Sequence, residues 1–418
     1  MIDMRVNRRQ FAAALCGATG ALAGCQSVDR QVQAALGPRI HHRDAPVDTV
    51  ATWPTQHGRS DRTGSISRDL ELDLDSSARR IAPSVERGKW GVVVSGDRII
   101  HPGTAARSDS SGESRRPVYG LVGTSLDGES WAIEDTHGPS LVVGETVICS
   151  LGDGVAAFDA SDGTVCWRYS DGGYPTLAGG LVCTTSGHTL FGLDPRDGRR
   201  HWKTENFSDG ARFEYTVSKL AGDDKLLCGV RTVEYDADSL VAFDPTTGAV
   251  RWRGDTGPCR HPPVVGDERV YTLSSEWTLT AFNRRGEQLW TRDVGWESLP
   301  AVDDGQLWSA GPDGEILVRD GETGRKQWQT TVGNVAPSRP LLTPSYAYVL
   351  VGELEEETRL LMIDRVSKSV RRSQSVPVLP KRVDSQLFPP LAASAAGAVI
   401  GESTGLVETD EGGVYVVS

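Results

Sequence analysis

A nine-residue spacing recurs along this chain: an aspartate, a glycine four positions later, and a tryptophan four positions beyond that. Asp159, Gly163 and Trp167 form one full copy, as do Asp194, Gly198 and Trp202; Asp244, Gly248 and Trp252; and Asp320, Gly324 and Trp328. Asn283, Gly286 and Trp290 keep the spacing with one residue deleted in the turn. Weaker copies end at Trp131 and, with arginine in the tryptophan's place, at Arg372. Successive tryptophans stand 36, 35, 50, 38 and 38 residues apart. A fixed period of this length is the signature of a repeat architecture, so the 418 residues read as one repeated domain rather than two or three average ones.

Each copy is a hairpin. A short apolar strand leads to a turn in which aspartate caps the backbone and glycine takes a positive φ, and a second strand ends in tryptophan. A further strand pair lies upstream, as in Pro262–Leu273 and Pro300–Trp308. Four strands in about 38 residues make one propeller blade, which cannot bury its faces alone but can when stacked radially into a ring. The tryptophans Trp131, Trp167, Trp202, Trp252, Trp290 and Trp328 are then expected to lie across the junction to the next blade, a structural role. Upstream pairs beginning near Trp90, Pro139, Pro175, Tyr215, Pro262, Pro300, Arg339 and Phe388 predict an all-β propeller of eight four-stranded blades, with seven as the alternative. For the last blade, Gly405–Ser418 supplies the third and fourth strands, or Gly413–Val417 is a second strand that pairs with the N-terminal segment Ile66–Pro83. Pairing the two chain ends would protect the edges.

The repeated Asp-x-x-x-Gly-x-x-x-Trp pattern with apolar strands before it resembles the PQQ-binding-like β-propeller repeat family over residues 85–418. Trp53-Pro54, Arg59 and Arg62-Thr63-Gly64 resemble the lead-in segment of those propellers. The family holds quinoprotein dehydrogenases as well as the lipoprotein of bacterial outer-membrane assembly. The resemblance therefore implies the ring and leaves two functions in competition.

The N-terminus reads as an address. Arg8 and Arg9 followed by Gln10 and Phe11 resemble a twin-arginine export signal, and the apolar run Phe11–Ala23 is too short to span a bilayer. Leu22-Ala23-Gly24-Cys25 resembles a lipobox, with Cys25 the lipid-bearing residue of the exported chain. One lipid chain holds a membrane only marginally, so two or more are expected on Cys25. The domain expectation is a signal over 1–24, a lipid-anchored flexible tether over 25–50 and the propeller over 51–418.

The chain carries 44 basic and 56 acidic residues, a net charge of −12, which excludes nucleic acid as a natural partner. Only seven of the basic residues are lysine. Acidic excess with arginine preferred resembles haloarchaeal proteins, and a strongly negative surface favours a soluble monomer. Cys149, Cys183 and Cys228 occupy one repeat position and read as small core residues. No CxxC motif occurs, and a disulfide among the five cysteines beyond Cys25 stays open.

A quinoprotein dehydrogenase needs PQQ held flat, calcium beside it and a carboxylate base. Its relatives add adjacent cysteines and long insertions, which this sequence lacks. HExxH, GxSxG and P-loop motifs are absent as well. No catalytic, cofactor or metal residue is assigned. Longer insertions at Ala106–Arg116, Asn206–Arg212, Val230–Asp238 and Glu353–Thr358 are where such a ring places partner contacts. The leading expectation is an extracytoplasmic, lipid-anchored, non-catalytic scaffold for a protein partner. The first alternative is a PQQ- and calcium-dependent oxidoreductase. The second is a carbohydrate- or polymer-binding protein, favoured if Trp277, Trp296 and Trp308 gather at one face and excluded if all three are buried in blades.

Overall fold

The computed structural model describes residues 39–47, 65–67, 69–70, 79–83, 85–86, 92–105, 118–125, 127–134, 136–205, 217–231, 240–259, 261–295, 297–333, 338–351, 358–376, 391–394, 397–401, 403–404 and 413–417. Among these the architecture is all β, a propeller of antiparallel meanders. Each sheet is named here by the residue in the tryptophan position of its fourth strand. The Trp131 sheet comprises Val93–Ser95, Arg98–Ala105, Val118–Ser125 and Ser130–Glu134. The Trp202 sheet runs from Thr176–Ala178 to Arg200–Glu205, and the Trp252 sheet from Val217–Gly222 to Val250–Gly254. The Trp290 sheet runs from Val264–Val265 to Gln288–Asp293, the Trp328 sheet from Ala301–Asp303 to Lys326–Thr331, and the Arg372 sheet from Leu341–Leu342 to Val370–Val376.

Two sheets depart from this plan, and both departures involve the N-terminal segment. The closing sheet takes Leu391–Ser394, Gly397–Gly401 and Gly413–Val417 from the C-terminus and its fourth strand, Arg79–Pro83, from near the N-terminus. Gly413–Val417 is thus the third strand, paired on one side with Gly397–Gly401 and on the other with Arg79–Pro83. The expected pairing of Gly413–Val417 with the N-terminal segment ending at Pro83 is present, while its place as third rather than second strand, and the absence, among the described residues, of a fourth strand from Gly405–Ser418, are corrections. Val85–Glu86 adds a short parallel pair with Ser403–Thr404.

The Trp167 sheet, formed by Thr136–Val143, Thr146–Leu151, Gly154–Asp159 and Val165–Tyr169, carries a fifth strand, Arg39–His41, on its outer edge. Four-stranded blades among the described residues therefore number seven, the alternative count, and not the expected eight. The remaining radial sheet has five strands because the N-terminal segment pairs with it. The expected tether over 25–50 is shortened accordingly, since Arg39–Val47 is seated on the ring.

Burial follows position within a blade. Second and third strands are covered on both faces by neighbouring sheets, so they are buried along their length, as in Gly154–Asp159 and Tyr346–Val351. Fourth strands lie at the rim, and several expose most of their residues, as Gln288–Asp293 does while keeping Trp290 inside. Cores sit between sheets: Leu141, Ile148, Val155 and Trp167 pack against Val182, Phe191 and Leu193 of the next. Cys149, Cys183 and Cys228 are fully buried on second strands, and burial pushes the Cys149 thiol up to about 12. None of Cys149, Cys166, Cys183, Cys228 and Cys259 is in a disulfide.

Chain direction gives the ring two distinct ends. Connections from first to second strand and from third to fourth lie at one, the turn end. Connections from second to third strand, and from each fourth strand to the next sheet, lie at the other, the loop end.

Candidate functional site: the blade junctions and the two ends of the ring

The turn chemistry repeats from sheet to sheet. Asp159 Oδ1 accepts the Ser161 amide, Asp194 Oδ1 the Arg196 amide and Asp244 Oδ1 the Thr246 amide, each at 2.9 Å. Asp320 Oδ1 takes the Thr323 amide at 2.8 Å. Four residues after each aspartate, Gly163, Gly198, Gly248 and Gly324 hold φ between +68° and +72°. A β-bulge precedes each of these turns and turns the tryptophan toward the next blade. The residue opposite the indole is small in five sheets: Gly123, Ala157, Gly192, Ala242 and Ala281.

Each tryptophan from Trp131 to Trp290 then meets the turn of the following sheet. Its indole N–H donates to the carbonyl one residue after the turn's Asp or Asn: Trp131 to Ala160 at 2.8 Å, Trp167 to Pro195 and Trp202 to Pro245 at 2.9 Å, Trp252 to Arg284 at 3.0 Å, and Trp290 to Gly321 at 3.1 Å. The ring lies against the turn glycine. A Cβ on Gly198 would stand 2.6 Å from the Trp167 ring, and one on Gly248 2.4 Å from that of Trp202. The same glycine thus answers two demands, a positive φ and the close approach of an indole.

One junction departs from the rule. The turn after Asp364 carries Lys368, at φ +57°, where the other sheets have glycine. Trp328 packs on Trp308 instead, with ring centroids 6.1 Å apart. Lys368 Nζ stands 4.4 Å from the centroid of the Trp308 ring and donates to Gln306 Oε1 at 3.1 Å. Burial, with Arg365 nearby, holds the Lys368 amine down to about 8.

A residue seven positions after the turn aspartate reaches back to its second oxygen, Oδ2. Arg251 donates to Asp244 at 2.7 Å, Arg371 to Asp364 at 3.0 Å and Gln327 to Asp320 at 3.1 Å, while His201 lies 3.3 Å from Asp194. In the Trp167 sheet this position is Cys166, and Asp159 is served by Arg43 from the N-terminal segment at 2.7 Å. The sequence carries this signal in Arg251, Arg371 and their exception Cys166, each seven positions after a turn aspartate.

Hydrogen bonds favour the ionised form of Asp244, Asp364 and Asp320. The Arg251 guanidinium, with the Thr246 hydroxyl, holds Asp244 well below the usual carboxylate range. The Ser367 amide, with Arg371, holds Asp364 down to about 2, and the Thr323 hydroxyl and amide lower Asp320. A carboxylate depressed in the folded state stabilises the fold above its unfolded pKa of about 3.9, and that stability is lost as pH falls through the folded value. The protein is therefore expected to weaken progressively as pH drops below about 4. Denaturant unfolding between pH 5 and 2 checks this, and an Asp244→Asn, Asp364→Asn variant should show a shallower acid loss. An unchanged slope contradicts the assignment.

The four sequence insertions lie almost wholly outside the described residues. The described strands that flank 106–116, 230–238 and 353–358 are second and third strands, and those that flank 206–212 are a fourth strand and the first of the next sheet, so all these flanking strand ends are at the loop end. The turn end carries the N-terminal segment. Glu145 N donates to Pro46 O at 2.9 Å there. Ser65 bridges Leu342, and Asp69 accepts the Thr343 hydroxyl at 2.6 Å and the Ser345 amide at 2.9 Å.

Chemically, the described residues offer structural groups. Their buried carboxylates, Asp159 and Glu297, are engaged by Arg43 and by Arg319 with Ser309. No three His, Cys, Asp or Glu side chains among the described residues converge as a metal site. Of the three tryptophans outside the repeat position, Trp308 is fully buried, Trp277 is half-buried beside the Trp290 core, and Trp296 lies outside the described residues. Cys25, Arg8, Arg9, Trp53 and the lead-in residues also lie outside them.

The family model described as outer membrane protein assembly factor BamB matches residues 120–232 and 220–341, more than half of the chain. Outer membrane protein assembly factor BamB of Bordetella pertussis is 29% identical over 168 residues, 38% of this chain and 41% of that protein. The chain thus aligns with less than half the length of that curated relative. Among solved structures, BamB from Moraxella catarrhalis superposes with a TM-score of 0.51 at 15% identity, over 81% of this chain and 99% of that one. Quinohemoprotein alcohol dehydrogenase from Comamonas testosteroni superposes with 0.59 at 12% identity, over 97% and 83%. Likeness at such identities establishes the ring and leaves activity open.

Proposed function

We propose, from the premise that this chain belongs to the PQQ_2 family described as outer membrane protein assembly factor BamB, that it is a membrane-anchored extracytoplasmic scaffold holding a protein partner at its loop end. The observation that carries this reading is the asymmetry of the ring. The described strand ends that flank all four insertions are at the loop end, while residues 42–47, 65–67 and 69–70 of the N-terminal segment lie on the turn end. Loops that lengthen on selected repeats and share one face form the binding surface of a repeat ring.

The non-catalytic part of the proposal is supported by the donor set. A calcium-held quinone requires several free carboxylate and amide oxygens around one point. The buried carboxylates among the described residues are instead committed to arginine, and they do not fit that group. The carbohydrate reading loses Trp308, which is core, and finds Trp277 half-buried.

Two experiments test the proposal. Replacing residues 231–238 and 353–357 with short turns should abolish capture of the partner from the organism's own membranes while leaving the unfolding midpoint unchanged; retention of the partner would remove the loop end from the account. For the anchor, Cys25→Ser should move the protein from the membrane fraction to the medium. A variant that stays membrane-bound would refute lipidation at Cys25.

A further inference from the structure

Among the described residues, the fourth strand of the Trp167 sheet is the one that carries another strand on its outer edge. Arg39 pairs with Tyr169, Ile40 with Arg168 and His41 with Trp167, antiparallel. The Cys166 carbonyl then accepts the amides of His42 at 2.8 Å and Arg43 at 3.1 Å. Past this strand the segment enters a gap between two blades. At the junction of the Trp202 and Trp252 sheets that gap is closed directly: a Cβ on Gly179, in a first-to-second turn, would stand 2.9 Å from Pro245 of the next sheet. Gly144 and Pro195 hold the same two places at the junction of the Trp167 and Trp202 sheets. There a Cβ on Gly144 would instead meet the Val47 backbone, at 2.7 Å. Ala45 is fully buried in the gap, its amide bonded to Arg196 O at 2.8 Å, and Pro46 O accepts from the Glu145 amide and the Thr146 hydroxyl, each at 2.9 Å.

The seat is acidic and its occupant basic. Arg39 donates to Asp197 Oδ2 at 3.1 Å, and Arg43 to Asp159 Oδ2 at 2.7 Å and Thr164 Oγ1 at 2.6 Å, with Asp162 at 3.9 Å. At the position of Cys166, the Trp252 and Arg372 sheets carry Arg251 and Arg371, which bind their own turn aspartates and leave no place for an outside arginine. The hold on the segment is nevertheless shallow. Of residues 39–47 only Ala45 is buried, and the Arg39 and Arg43 side chains are 33% and 47% exposed. Exposed ion pairs contribute little and are screened by salt, and one alanine buries little apolar area. What fixes the segment is backbone pairing to a sheet edge, which any extended chain can reproduce.

We propose that this rim and gap form a second protein-binding surface, a site for an extended basic segment of a partner with arginine two residues before a small residue, which Arg39–Val47 occupies in cis as a displaceable plug. The surface lies apart from the loop end and stands whether or not that end binds a partner. Its selectivity follows from the seat. Asp159 and Asp162 select arginine, and the core around Ala45 takes a methyl group where a longer side chain would have to displace Trp167 and its neighbours. The incoming segment replaces the plug strand for strand, so the sheet edge is never left bare.

The test uses the full chain and a fluorescent synthetic peptide with the sequence of residues 39–47, followed by anisotropy at low salt. Arg43→Ala with Ala45→Asp in the chain's own segment empties the seat and leaves every seat residue unchanged. This variant should bind the peptide about tenfold tighter or more than the parent chain, because an occupied site is open to a ligand only for the fraction of time its plug is away. Peptides carrying Arg43→Glu or Ala45→Leu should not bind. Arg43→Ala alone is the milder variant, used if the double variant loses the far-ultraviolet dichroism of the parent. Equal binding by parent and variant chains, binding of the altered peptides, or no binding by a folded variant chain would each overturn the proposal. A parent chain that is dimeric, and monomeric once it carries Arg43→Glu, would also overturn it by making a second copy the occupant.

Discussion

Trp167→Ala should lower the unfolding free energy by about 3–5 kcal/mol, the cost of deleting a large buried aromatic and leaving its cavity. The side chain is fully buried between two sheets, beneath Gly198 and hydrogen-bonded to Pro195 O at 2.9 Å. The neighbouring turn cannot collapse into the space, because Asp194 and the positive φ of Gly198 fix its backbone. Two losses combine: packing around the indole, and an N–H bond whose acceptor becomes stranded at the junction. Trp328→Ala is the control. That indole is partly exposed and packs on Trp308, with Lys368 in place of the turn glycine, so its removal should cost clearly less. Equilibrium denaturation of both variants checks the ranking. Loss of partner binding in Trp167→Ala without loss of stability would mean the residue contacts a ligand.

Tyr415→Pro should open the ring. Tyr415 lies in the third strand of the closing sheet, opposite Arg80 on one side and Ile400 on the other. Proline there removes a ladder N–H in a strand with neighbours on both sides, at a cost of about 3 kcal/mol or more. The loss falls where the two ends of the chain meet, so it also frees the edges of the first and last sheets. The expected signature is rapid proteolysis near residues 79–83 and a lower unfolding midpoint. A variant as resistant as the parent chain would show that closure does not depend on this sheet.

What the sequence disclosed was local chemistry. Asp159, Gly163 and Trp167 announce their turn because capping, positive φ and indole docking each demand one residue type at one spacing. Two strand placements escaped because their meaning is non-local. The pairing of the segment ending at Pro83 with Gly413–Val417 was expected, but that Arg79–Pro83 is the fourth strand of a blade follows only from its register with a strand more than 300 residues away. Arg39–His41 looks polar for the same reason, since it lies at a rim with one face in water. Its legible trace was Cys166 standing where other repeats place arginine, histidine or glutamine. Lys368 shows the converse case, in which a broken repeat marks a junction rebuilt from Trp308. Of the candidate site, the insertions were visible at once, but their common end emerged only when each was assigned to its strand pair.

The central claim, a scaffold rather than an enzyme, is tested most directly by affinity capture of the lipidated protein from its own membranes at native salt, with mass spectrometry of proteins and small molecules together. The account predicts a reproducible protein partner. Co-purifying quinone and calcium, with no protein partner, would contradict it and establish the oxidoreductase reading.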